Sequence, residues 1–205
     1  MTMPPRPALT LAACAAMAAT PAVAWWCPKT TADAAKGLMI TYQDQSDGKL
    51  MVTGNGITED HLRFNDGSGM GEAAKAKHGY IMTELYATEN GRVLPDALLF
   101  RDYPPEFLSL PPLKAGESVK TMATTIFGTD ETPTAVTFTA GREVESFIGW
   151  CPLRGWTIEA AFEIEASVSI DHYLYLADLD TAIYIGTAEP NWPVRIGALI
   201  APKLP

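Results

Sequence analysis

The chain has 205 residues, with 24 acidic against 15 basic side chains and a net charge of −9. So acidic a chain, with no basic patch, repels phosphate, which sets nucleic acid and anionic lipid surfaces aside as partners. Arg6 precedes an apolar run over residues 8–19, Pro21 then breaks any helix, and Ala22, Val23 and Ala24 offer small residues for a signal peptidase. That order reads as a secretory signal peptide over residues 1–24. It leaves residues 25–205 as a single exported β-rich domain with a net charge of −10, since only Arg6 is lost. The apolar run is shorter than the ~20 residues a membrane span needs. No later stretch is longer, so no transmembrane segment is expected.

A second cut competes. L-A-A-C, residues 11–14, resembles the lipobox of bacterial lipoproteins, which implies a lipid anchor at Cys14. The apolar core before it would be only residues 7–13, and the Ala22-Val23-Ala24 site would be left unexplained, so cleavage after Ala24 is the preferred reading. Cys27 and Cys151 then remain as the two cysteines of the mature chain. In an exported protein an even pair reads as a structural disulfide. Each sits in a W-C-P phrase, but Thr30 and Arg154 occupy the positions where a C-x-x-C redox site needs its second thiol. The residues after the two phrases do not match, so they read as two ends of one bridge and not as a repeat. The bridge and the leader together place the protein in the periplasm or outside the cell.

After Cys27, T-T-A-D-A-A-K-G (residues 30–37) has a threonine cap and a closing glycine, and predicts a short helix. Q-D-Q-S-D-G (residues 43–48) between two apolar runs predicts a hairpin. Gly67, Gly69 and Gly71 lead into E-A-A-K-A-K-H-G (residues 72–79), whose alanines and final glycine predict a second short helix. Asn90-Gly91, a pair that tolerates positive φ, predicts a tight hairpin between residues 81–89 and 92–100. Pro95, Pro104, Pro105, Pro111 and Pro112 mark edges and loops. Residues 118–127 and 135–140 add two more strands. From Trp156 to Ile170 every even position is apolar and nearly every odd one polar, the period of a strand with one buried face. Fifteen residues is long for a strand, so a bend or bulge is expected within it. The same parity runs on through His172, Leu174 and Leu176, then D-L-D (residues 178–180) turns into a returning strand. The sum is an all-β, mostly antiparallel fold, a β-sandwich or barrel with one or two short helices.

The chemistry is sparse. Gly67-Ser68-Gly69-Met70-Gly71 has neither the third glycine of a dinucleotide fingerprint nor a phosphate-loop lysine and serine, so no cofactor is assigned. No nucleophile elbow or zinc-binding H-E-x-x-H occurs, and no catalytic or metal-binding residue is assigned. Of His61, His78 and His172, the one singled out is His172, for its acidic company in Asp171, Asp178 and Asp180. Asp171 and His172 point to opposite faces of a strand and do not chelate one ion together. Glu159, Glu163 and Glu165 read as the wet face of the sheet. Trp25, Trp26, Trp150 and Trp156 are expected to pack around the bridge, whereas Trp192, flanked by prolines, is expected in an exposed loop. The leading expectation is a non-enzymatic exported domain that binds a small molecule or a protein in the bacterial envelope. The alternatives are a hydrolase or isomerase using His172 with carboxylates or an acidic site inside a barrel, and a tryptophan-based carbohydrate-binding module.

Overall fold

The computed structural model describes residues 26–187 and 191–198. The leader, Cys14 and Trp25 lie outside them. Thirteen strands form one antiparallel sheet among these residues, with two short helices, α1 (Thr31–Lys36) and α2 (Pro105–Leu108). In chain order the strands are β1 (Leu38–Tyr42), β2 (Asp47–Val52), β3 (Ile57–Arg63), β4 (Met70–Lys77), β5 (Ile81–Glu89) and β6 (Arg92–Asp102). They continue as β7 (Ser118–Phe127), β8 (Asp130–Ala140), β9 (Val144–Ile148), β10 (Cys151–Ile164), β11 (Ser167–Leu176), β12 (Thr181–Gly186) and β13 (Pro193–Ala198). From β1 to β8 each strand pairs with the next, β10 adds beside β8, and β11 and β12 follow as a meander. β13 returns to pair with β1, close to β9, and the sheet becomes a nearly closed barrel.

The expected all-β architecture is present, as a barrel-like sheet. Three of its parts differ from the sequence reading. The stretch from Glu72 to Gly79 is strand β4 followed by a turn, not a helix. Its alanine-rich composition favours helix only weakly, and backbone pairing with β3 on one side and β5 on the other overrides it. The glycine run before it is therefore the loop of the β3–β4 hairpin, where Asp66 Oδ1 accepts from the Ser68 N–H at 2.9 Å and from its hydroxyl at 2.6 Å.

The alternating stretch from Trp156 to Ile170 is not one bent strand but a hairpin. The chain turns at Glu165 and Ala166, between Ile164 and its partner Ser167, and Glu165 takes φ +54°. A positive φ at the first turn residue alone is the signature of a type II′ turn, here without the usual glycine. Crossing a two-residue turn reverses the parity of the inward positions. Trp156, Ile158 and Ala160 share a face with Tyr175, Tyr173 and Asp171, while Val168 and Ile170 are exposed instead of buried. Pro95 lies within β6, at a break where the pairing with β5 jumps from Val93 to Leu98. The two central hairpins at Gln43–Asp47 and Asn90-Gly91 lie where the turn residues predict them.

The interior holds two apolar cores. One gathers Phe138, Ile158, Phe162, Tyr173, Tyr175 and Ala182, covered by Tyr103 and by Phe107 of α2. The other gathers Leu38, Ile40, Leu174, Leu176, Ile183 and Ile196 under Ala34 of α1. The β11–β12 hairpin is common to both: its alternate residues face opposite cores, and Tyr173–Leu176 and Thr181–Ile183 are buried on both faces. Its outer edge is covered by the β4–β5 turn, where Gly79 at φ +78° lies so close that an added Cβ would stand 2.4 Å from Ala182 N. The hydroxyls of Thr58 and Thr181 meet at 2.8 Å beside it. Cys27 and Cys151 are disulfide-bonded with Cα atoms 5.2 Å apart, fastening the segment before α1 to the start of β10.

Candidate functional site

A cavity of about 280 Å³ lies between the β3–β6 wall and the inner face of β11–β12. Period two decides what enters it. The register pairs Thr58 with Ala76, Asp60 with Ala74 and Leu62 with Glu72, so the even positions of β3 and β4 share the lumen face. Arg101 enters from β6, Asp171 and Tyr173 from β11, and Tyr184 from β12. Met82 and Leu85 of β5 complete an apolar flank. The space exists because β4 offers only alanines at Ala74 and Ala76, which are too short to reach the aromatic side opposite.

Three carboxyls and one guanidinium meet in this lumen. Asp60 Oδ1 is closed off from solvent and has no hydrogen-bond partner. Burial drives the Asp60 carboxyl up to about 7, against the pull of the His61 N–H and with a push from the Glu72 charge. Glu72 is raised by burial and by Asp171. Asp171 is raised by burial too, with Arg101 working the other way. The Tyr173 hydroxyl stands 3.5 Å from Asp171 Oδ2, at the outer limit of a hydrogen bond. The Arg101 guanidinium lies 3.8 Å over the centre of the Phe162 ring, yet its Nε and Nη1 are buried without acceptors. The Tyr103 hydroxyl is likewise without a partner. Buried polar atoms are almost always paired in folded proteins, so the unpaired atoms of Asp60 and Arg101, two residues of the cavity lining, set this part of the interior apart.

Compared with protein-family models, with curated proteins and with solved structures, the chain matches none. The reading of the site therefore stands on its geometry.

That geometry treats the residues singled out from sequence unevenly. Asp171 faces the cavity, but His172 stands on the opposite face of β11, its Nδ1 4.0 Å from Glu159 Oε1. Asp178 is held by Arg154 in a fork of 2.8 and 3.1 Å, and Asp180 accepts from the Tyr175 hydroxyl at 2.6 Å. These two aspartates thus close the β11–β12 turn. His78 is buried with Nε2 3.2 Å from the Leu110 carbonyl, and His61 is exposed. No group of three or more His, Cys, Asp or Glu among the described residues is placed to hold a metal ion. No helix among them is long and apolar enough to cross a membrane.

The tryptophans correct the expectation of a packed cluster. Trp156 is buried against Tyr175 at 4.8 Å, but Trp26 and Trp150 are 57% and 63% exposed beside the bridge. The positive φ of Gly149 turns the chain at that corner, so Trp150 points outward while Cys151 points inward. Trp192 is exposed, as its prolines imply, and with Pro193 and Val194 it borders an open groove that includes Leu174 and Gln43. Sequence reasoning missed Asp60, Glu72 and Arg101 altogether. The one trace of them is I-T-E-D-H-L-R, residues 57–63, a β-branched start followed by charges at both parities.

Proposed function

We propose that this protein is an exported, non-enzymatic barrel that binds a small molecule in its lumen within the bacterial envelope. The observation that carries the reading is the cavity, whose largely apolar wall carries the charged residues Asp60, Glu72, Arg101 and Asp171. Concave sites with apolar walls and a few convergent polar groups are where small ligands bind. The leader-like first 24 residues and the Cys27–Cys151 bridge support an oxidising compartment. His172 does not reach the lumen, so a hydrolase or isomerase would have to rest on Asp60, Glu72 and Asp171 alone.

The test is native mass spectrometry of the full chain, expressed with its leader and recovered from the periplasm. The expected result is cleavage after Ala24 and a small-molecule adduct that disappears on denaturation. Recovery only from the cytoplasm, or an adduct-free protein whose melting temperature answers to no compound in a broad metabolite panel, would refute it. A second reading, carbohydrate binding on the outside, is favoured by the exposure of Trp26, Trp150 and Trp192. Tryptophan fluorescence that ignores a glycan panel removes it.

A further inference from the structure

We infer that the lumen takes a small organic cation, an ammonium group on a short apolar body, with Asp60 and Glu72 holding the charged end. The inference deepens the reading of the cavity as a ligand site and rests on it. Charge comes first. Asp60, Glu72 and Asp171 oppose a single guanidinium, and that guanidinium already has Asp171 for a neighbour and the Phe162 ring beneath it. The lining thus carries three carboxyls against one arginine, a balance that favours a cation over an anion.

Hydrogen bonding agrees with charge. Asp60 and Glu72 both line the cavity, and carboxylate oxygens accept from the N–H groups of an ammonium. Tyr173 and Tyr184 add aromatic rings to the lining, a residue type whose π-system attracts ammonium. Shape then selects an organic cation over an ion. About 280 Å³ is the room of about nine waters at ~30 Å³ each. Leu62, Met82 and Leu85 line part of that room with hydrocarbon, which an inorganic ion leaves unused.

Occupancy is tied to protonation. The groups that face Asp60 are Glu72 from β4, Arg101 from β6, Asp171 and Tyr173 from β11, Tyr184 from β12 and Tyr42 from β1. The tyrosines in this set are pushed up by burial and stay neutral in the physiological range. The ionised carboxylate is the form that binds a cation, so affinity rises as pH climbs through the Asp60 value of about 7.

The experiment is isothermal titration of the bridged full chain with hexylammonium, hexan-1-ol and hexanoate, at pH 6 and pH 8. Hexylammonium, which like a lysine side chain stays protonated across that range, is expected to bind at least ~10-fold more tightly than the neutral alcohol. Its affinity is expected to rise several-fold from pH 6 to pH 8. Asp60→Asn is expected to abolish most of that preference and flatten the pH profile, and Glu72→Gln to weaken the amine without weakening the alcohol. Folding of each variant is checked by circular dichroism. Because Asn matches Asp in size, a variant that folds and binds hexylammonium as before overturns the inference. Tighter binding of hexanoate overturns it too, since Arg101 is then the anchor, while the lumen stands as a ligand site. If none of the three compounds binds, the cation inference falls. The ligand-site reading falls with it only if the periplasmic protein also carries no adduct.

Discussion

Asp60→Asn is expected to stabilise the free protein, and to do so increasingly as pH rises. In the unfolded chain this carboxyl titrates near its ordinary value of 3.8; in the fold it titrates near 7. The folded state therefore keeps a proton that the unfolded state has released. The native protein loses stability between about pH 4 and pH 7 and levels off above, where the full difference is roughly 4 kcal/mol. At pH 5 the linkage has consumed a little under half of that, so the gap between pH 5 and pH 8 is about 2–3 kcal/mol. Asparagine never ionises and has no such term. It leaves an unpaired amide in the lumen at a cost of about 1 kcal/mol, but that cost does not depend on pH. Glu72 and Asp171 contribute slopes of their own to both proteins. The quantity to measure is accordingly the difference between Asp60→Asn and wild type, by urea unfolding with the bridge intact, at pH 5 and pH 8. A difference that changes by less than ~0.5 kcal/mol over this range would refute the claim that Asp60 is desolvated.

Removal of the bridge by Cys27→Ser with Cys151→Ser is expected to lower stability by ~4 kcal/mol, because the 124-residue loop is no longer closed in the unfolded chain; urea unfolding of the double variant reads this directly. Gly79→Ala is expected to cost at least ~2 kcal/mol, since its Cβ would stand 2.4 and 2.5 Å from the Ala182 N and O atoms at a positive φ; calorimetry at one pH suffices. Acrylamide is expected to quench Trp26, Trp150 and Trp192 but not Trp156, so Trp156→Phe should raise the quenchable fraction of the emission while removing its blue-shifted part.

What could be seen in advance follows from what each segment buries. β7, β8 and β10 place an apolar row against a dry core, and such rows repeat in the sequence with period two. The Asn90-Gly91 turn and the loop before Gly48 carry residues whose backbone preferences announce them. The Glu165-Ala166 turn carries none, and since the apolar residues resume in step at Val168 and Ile170, the reversal left no mark on the pattern. β3 and β4 were obscured for a different reason. Their lumen face is itself polar, with Thr58, Asp60 and Glu72 among alanines, so inward and outward positions look alike. β13 was hidden by the prolines ahead of it, and its partner β1 lies 155 residues earlier, counting Leu38 from Pro193. The site fell in the part of the barrel that alternation describes least well.

The two-faced hairpin β11–β12 bears on how this chain tolerates genetic change. Side by side in one strand, Asp171, Tyr173 and Tyr175 face the cavity and the first core, and Leu174 and Leu176 face the second core. Point replacements of similar size alter one compartment at a time. A single codon gained or lost between Ser169 and Asp171 would instead exchange the two sets wholesale, putting leucines among the carboxyls and a carboxyl among the leucines. The partition is thus permissive to spelling errors and intolerant of slips in the reading count.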